Sequence, residues 1–217
     1  MSSLSDLTDL IELHERNDRN QKVTELECLK GSYSTLEYNK IDIILEYTDH
    51  LKYIDKSITE LEKRNLPVLQ YKLHNYITSS YSFIENVETG LSHFDQLLDD
   101  YKEGFYNTPI EKCMRGLRIY AQHHRVLPLK IKRVTIKNKY PTIANSNFEN
   151  LVFVNINEMM SLKQDWDEKT QNYFFELNEL DFINKNLDLN IIEAVETHYN
   201  VSSHLFSWIV NNLKNKL

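Results

Sequence analysis

Apolar residues recur along most of this chain at the spacing of amphipathic helices. From Leu36 to Arg64 they come close to an i, i+3, i+7 pattern, which Asn65 and Pro67 then break. The pattern resumes from Val68 to Tyr101. We therefore expect two long helices that pack antiparallel across a tight turn at residues 65–67.

Helical spacing also occurs nearer the two ends of the chain. Leu4 to about Lys30 fits one bent helix or two short ones. Asn157 to about Leu180 fits another helix, and Leu189 to Leu213 fits a final amphipathic one.

A well-marked helix start lies at Thr108 and Pro109. Thr108 suits the N-cap, Pro109 suits the first helical position, and Glu111 suits the third, where it can complete a capping box. We expect this helix to run from Pro109 to about Arg125 and to end before Pro128.

Two β-branched stretches follow, from Leu129 to Ile136 and from Leu151 to Ile156, with a turn-rich interval between them. They predict a β-hairpin. Four glycines and four prolines in 217 residues are few for a β protein, and no linker divides the chain. We predict one domain, residues 1–217, that is mainly α: a bundle of long antiparallel helices with a small β-hairpin insertion near residues 129–156.

Cysteine usage and the N-terminal sequence favour a cytoplasmic protein. Cys28 and Cys113 form no metal-type pair and no disulfide framework, so we expect reduced thiols. The first residues lack a basic stretch followed by an apolar run, and no segment has the roughly 20 apolar residues that span a bilayer. We expect neither secretion nor membrane insertion.

Positive charge is concentrated in one region of an acidic chain. The formal net charge is -7, from 25 basic and 32 acidic residues. Nine of the basic residues lie between Lys112 and Phe148, where there is no Asp or Glu, so the remainder carries 16 basic and 32 acidic residues. Such a region can collect phosphates, or it can pair with acidic residues of the same molecule or of a partner. The expected RNA-binding residues are Arg115, Arg125, Lys130, Lys132 and Arg133.

The candidate chemistry lies in residues 117–124, with the sequence LRIYAQHH. Arg118 is a permanent cation whose planar donors suit phosphate, and His123 can move protons near neutral pH. An arginine followed at this range of spacings by a histidine is expected about 0.8 times by chance in such a chain. The pattern therefore gains weight only from its place at the end of a helix that leads into a basic hairpin.

In that setting, Leu117 to Pro128 resembles a motif of the HEPN superfamily, in which an Rx4-6H sequence lies near the end of a helix in a helical domain. Many members are metal-independent ribonucleases. The resemblance implies a homodimer with facing motif helices, an RNA substrate, no cofactor and no metal. It also implies a toxin, stress or phage-defence role, with a protein antitoxin or regulator as a further partner.

The resemblance assigns catalysis to Arg118 and His123. His123 would exchange protons with the RNA 2′-hydroxyl or the leaving oxygen, while Arg118 stabilises charge on the phosphate. His124 can exchange roles with His123, and Gln122 lies one turn after Arg118 and can orient it. Because five residues rotate about 140° around a helix, Arg118 and His123 do not share a face, and a partner chain or an unwound helix end must complete the site.

Alternative interpretations remain open for each residue. Arg118 can pair with a carboxylate, and a histidine at a helix end can bind the last carbonyl groups. Tyr120 can stack on a base, although a tyrosine in this position is more often in the core. Ile119 stands where many active HEPN members have a polar residue, so the second hypothesis is a catalytically inactive helical dimer that binds RNA or a protein through its basic hairpin. The other histidines lack a shared metal-ligand spacing.

Overall fold

The computed structural model describes residues 4–15, 20–90, 96–124, 126–135, 148–161 and 188–215. About four fifths of the described residues lie in helices, which confirms the mainly α class. The helices are α1 (Leu4–Glu15), α2 (Asn20–His50), α3 (Ile58–Gly90), α4 (Gln96–Tyr106), α5 (Pro109–His124), α6 (Ile156–Ser161) and α7 (Ile191–Asn215). The strands are β1 (Leu129–Thr135), β2 (Phe148–Asn155) and β3 (Asp188–Asn190).

The long helical hairpin is present, but its predicted turn at residues 65–67 is wrong. The turn lies at residues 51–57, and α3 continues through Pro67. A proline inside a helix removes one backbone hydrogen bond and costs roughly 3 kcal/mol. Burial of Leu66 and Leu69 on either side of it outweighs that cost. Asn65, the other expected breaker, uses its side chain to donate to His50 O at the end of α2, 3.2 Å away.

Ser57 and Asn150 explain why the chain turns where it does. The backbone N–H of Glu60 donates to Ser57 Oγ at 3.2 Å, so Ser57 caps the start of α3. Asn150, on β2, is fully buried and donates from Nδ2 to the carbonyl oxygens of Leu51 and Ile54, at 2.9 and 3.0 Å. The capping serine is a local signal, whereas the Asn150 contacts join residues almost a hundred positions apart.

Several other predicted boundaries also shift. The expected break between Lys30 and Leu36 does not exist, because α2 is one helix from Asn20 to His50. The expected helix over residues 68–101 is divided, since α3 ends at Gly90 and α4 begins at Gln96. The start of α5 at Pro109 and its end at His124 agree with the prediction. Of the helix expected from Asn157, residues beyond 161 lie outside the described ranges.

The predicted β-hairpin forms two strands of a three-stranded antiparallel sheet in the order β1–β2–β3. Leu129 pairs with Val154 and Thr135 with Phe148, so β1 and β2 are in register over the whole of β1. The short β3 pairs with the end of β2 and leads directly into α7. No sequence pattern marked β3, because three residues are too few to show a period.

Aromatic side chains join the long hairpin to α7 in the core. The rings of Tyr33 on α2 and Phe206 on α7 are stacked with centroids 3.9 Å apart, and Phe83 on α3 packs beside both. Of these helices, α3 and α7 contact α5 and hold it against the bundle, where Leu117 and Cys113 are fully buried. Within the described ranges, no helix has the combination of length and apolar composition required to cross a membrane.

Candidate functional site

Helix α5 presents one apolar face to the core, and its arginines lie outside that face, at the cleft with α3. Its buried residues include Ile110, Cys113, Met114, Leu117 and Tyr120, which recur at helical spacing. The start of α5 differs from the predicted N-cap in one respect. Thr108 O accepts the backbone hydrogen bond from Lys112, but the Thr108 hydroxyl donates to Phe105 O instead of capping α5.

Arg118 lies over an aromatic ring at the wall of a surface cleft. Its guanidinium carbon is 3.0 Å from the centroid of the Tyr81 ring, which belongs to α3. The cleft has a volume of about 220 Å³ and lies between α3 and α5. In the described part of the chain, no carboxylate forms an ion pair with Arg118, so the carboxylate-bound alternative does not hold for these residues. A guanidinium stacked on a ring keeps its edge N–H groups available for an anion.

Arg115, one turn earlier, is engaged differently. Its Nε donates to Glu111 Oε1 at 2.8 Å, and its guanidinium lies 4.4 Å from the centroid of the Tyr106 ring. Burial raises the pKa of Tyr106, and nearby Glu88 raises it further. The charge of Arg115 is therefore compensated within the protein by Glu111, although Arg115 borders the same cleft as Arg118.

Glu111 does not form the predicted capping box but belongs to a buried polar network. Its carboxyl oxygen Oε2 lies 2.9 Å from His198 Nε2 on α7, and its other oxygen accepts from Arg115. The second ring nitrogen of His198, Nδ1, lies 2.8 Å from the Tyr76 hydroxyl on α3. Glu111 is 2% exposed, and both Tyr76 and His198 are fully buried. Burial raises the pKa of Tyr76 well above its usual value, with a smaller contribution from the charge of Glu111.

The remaining motif residues occupy the last two turns of α5. Gln122 is exposed and lies one turn after Arg118. Tyr120 is 5% exposed and packs in the core, and its burial raises its pKa. His123 and His124 belong to the last turn of the helix, as predicted, while their side chains and all of Arg125 lie outside what the structure describes.

The basic residues of β1 are paired within the molecule. Lys130 and Lys132 both form ion pairs with Asp188 on β3, which is fully buried. Arg133 donates to Asn150 Oδ1 at 2.8 Å. It also donates to the carbonyl oxygens of Ile54 and Lys56 in the turn before α3, at 3.1 and 2.7 Å. These three cations, expected to bind RNA, thus hold the sheet together and fix it to the long hairpin.

Sequence reasoning missed Tyr81 and His198. Tyr81 appeared only as one apolar position of a helix, and His198 was considered only as a metal ligand. Their partners lie 37 and 87 residues away, so no local pattern reports them. In the described ranges, no three His, Cys, Asp or Glu side chains are grouped so that they could hold a metal ion.

Comparison with protein-family models, with curated proteins and with solved structures gives no match to this chain. The resemblance to the HEPN superfamily therefore rests on the sequence from Leu117 to Pro128 and remains a hypothesis.

Proposed function

We propose that this protein is a metal-independent endoribonuclease of the HEPN type, with Arg118 as its phosphate-binding cation and His123 as its proton-transfer group. The observation that carries the proposal is the state of Arg118. Among the described residues this arginine has no carboxylate partner, and it lies on the wall of a cleft over the Tyr81 ring. A permanent cation in that position favours a phosphate ligand.

The reaction follows from the chemistry of RNA. The 2′-oxygen attacks the adjacent phosphorus as His123 accepts its proton, and the bond from phosphorus to the 5′-oxygen breaks. The leaving oxygen takes a proton, for which His124 is the nearest candidate along the chain. Arg118 stabilises the negative charge that gathers on the phosphate oxygens. The products are a 2′,3′-cyclic phosphate end and a 5′-hydroxyl end.

The angle between Arg118 and His123 around α5 bears on whether one chain or two supply these side chains to a single site. On a regular helix Arg118 and His123 are rotated about 140° from each other, so one straight copy of α5 does not aim both at one phosphate. A homodimer that faces two α5 helices supplies Arg118 from one copy and His123 from the other. The toxin or phage-defence role, with its antitoxin or regulator, is the biological setting that the HEPN resemblance implies for such an enzyme.

The test is cleavage of single-stranded RNA in the presence of EDTA. Arg118→Ala and His123→Ala should each reduce the rate at least 100-fold, the usual range for losing a transition-state donor or a general base. Arg64→Ala and His204→Ala are matched controls, because both residues are exposed and neither is on α5. Arg64 lies on α3 and His204 lies on α7. Circular dichroism checks that each variant is folded. Equal rates in wild type and both site variants would refute the nuclease assignment.

A further inference from the structure

Facing stretches of α3 and α5 contain no acidic residue up to the Arg118 cleft, whose lining includes Glu88 and Glu111. On α3 no Asp or Glu occurs from Lys63 to Ile84, and on α5 none occurs after Glu111. The protein as a whole has a formal net charge of -7. An acid-free strip on such a molecule is the place where a polyanion meets least repulsion.

Two contacts show that α3 and α5 run antiparallel along this strip. At one end the Gln70 side chain donates to Leu127 O at 2.9 Å, and further along Arg118 lies over Tyr81. The Arg118 cleft opens at the second contact. Another cleft, of about 250 Å³, opens at the first, and its walls include Tyr71 and His74 from α3 and Ala121 from α5. We call the strip that contains both clefts the α3–α5 groove.

The α3 side of this groove carries aromatic groups at helical spacing. Tyr71 and His74 border the first cleft and Tyr81 borders the second, and steps of three and seven residues place the three along one face of the helix. All three are exposed, and Tyr71 is 67% exposed and Tyr81 38%. Ten residues of helix place the two tyrosines about 15 Å apart along the axis. That length accommodates a few nucleotides of an extended strand.

Helix rotation decides which histidine shares this groove with Arg118. His123 is rotated about 140° from Arg118 around α5, whereas His74 borders the groove from α3. Gln122, at i+4 from Arg118, lies on the groove side of α5. The groove therefore combines a cation, a histidine, an amide and two tyrosines.

We propose that the α3–α5 groove binds a single strand of RNA, with a base stacked on Tyr71 and a phosphate held by Arg118, whose guanidinium the Tyr81 ring orients. Exposed aromatic rings beside a cation are the elements with which proteins hold single strands of any sequence, because every base has a stacking face. A duplex keeps its bases stacked on one another and does not offer them to such rings. This inference rests on the proposed ribonuclease function and names the surface that its substrate occupies.

The acidic residues give the strand a direction. Glu88 and Glu111 line the Arg118 cleft, and Glu85 lies on α3 one turn after Tyr81. Carboxylates repel phosphates, so the strand extends from Tyr81 toward Tyr71 and away from Glu88. His74 then contacts the nucleotide next to the one that Arg118 holds.

The test is binding of a fluorescein-labelled 2′-O-methyl RNA 12-mer to the full chain, measured by anisotropy at 50 mM salt. The blocked 2′-oxygen prevents cleavage, so binding is separated from catalysis. Tyr71→Ala should weaken binding about tenfold, the size expected for loss of one base–aromatic stack. Tyr81→Leu should weaken binding to a similar extent, because Arg118 loses the ring that orients its guanidinium. Tyr38→Ala is the matched control, since Tyr38 is 68% exposed and lies on α2. Wild type should also bind the single strand more tightly than the duplex of the same sequence.

The outcomes separate this inference from the nuclease assignment. Absence of binding by wild type, equal loss in Tyr38→Ala, or unchanged affinity in both Tyr71→Ala and Tyr81→Leu would overturn the groove, whatever the cleavage assay gives. Binding that depends on Tyr71 and Tyr81 in a protein that does not cleave RNA would support the groove and refute the nuclease. Tighter binding of the duplex than of the single strand by wild type would indicate recognition of the RNA backbone without base stacking, and would overturn the inference.

Discussion

Replacement of His198 by leucine tests the buried network that lies behind the candidate site. His198 contacts Glu111 and Tyr76, and all three residues are at most 2% exposed. Removing the partner of a buried carboxylate costs about 3–5 kcal/mol, because the carboxylate stays buried with one hydrogen bond fewer. Leucine is close to histidine in size, so a cavity adds little.

The structure places His198→Leu at the lower end of that range. Arg115 still donates to the other oxygen of Glu111, and its side chain is 31% exposed, so the carboxylate keeps one cation and some access to water. We expect a loss of about 3 kcal/mol in the free energy of unfolding. With a urea dependence of about 2 kcal/mol per molar, the unfolding midpoint falls by roughly 1.5 M.

Urea unfolding followed by circular dichroism at 222 nm measures this change. His204→Leu is the control, because His204 is exposed on the same helix and its replacement should cost no more than about 0.5 kcal/mol. The double variant Glu111→Leu with His198→Leu should lose less stability than the sum of the single variants, since no buried carboxylate remains. Equal midpoints for His198→Leu and His204→Leu would show that the Glu111 carboxylate does not depend on His198.

Two further predictions concern the sheet and the start of α7. Arg133→Ala should lower the free energy of unfolding by about 2–3 kcal/mol, because it removes the donors to Asn150 and to two carbonyl oxygens of the turn. Urea unfolding measures this loss, with Val134→Ala as the control. Burial raises the pKa of Glu193 above its usual 4.5, and the charges of Glu196 and Glu149 raise it further. Ionised Glu193 therefore opposes folding, and this destabilisation develops as the pH rises from the unfolded-state pKa to the folded-state pKa. Glu193→Gln should therefore stabilise the protein at pH 7 by at most about 0.5 kcal/mol, after solvent screening, with the difference vanishing below about pH 4; a variant that is less stable at pH 7 contradicts the sign.

The parts of the fold that the sequence predicted correctly are those fixed by local signals. Pro109 begins α5 because a proline is preorganised for the first helical turn, and the β-branched run around Val152 gives a strand. The turn before α3 was misplaced because Pro67 is a strong local signal that tertiary packing overrides. Ser57, with Glu60 three residues later, is the local signal for the correct position.

The basic hairpin shows why a charge count along the chain does not give a surface potential. Lys130 and Lys132 alternate with the buried Ile131, so both point to the same side of the sheet. Asp188 lies on that side, although it is 56 residues from Lys132 in sequence. A charge reversal at these lysines would place an acid against a buried carboxylate and destabilise the sheet. Reduced RNA binding in such variants would therefore not identify a contact.

Arg115 and Arg118 form a natural comparison within one helix. Arg115 has Glu111 four residues before it, the spacing at which oppositely charged side chains pair, and the structure shows that pair. Arg118 has Met114 and Arg115 at the two preceding helical-neighbour positions and Ala121 and Gln122 at the two following ones, so α5 offers it no acid. The Tyr81 ring on α3 orients its guanidinium without neutralising it, and among the described residues neither Glu88 nor Glu111, which line the same cleft, forms an ion pair with it. The difference between the two arginines therefore follows from four sequence neighbours, and it singles out Arg118, not Arg115, as the cation that an external phosphate would meet.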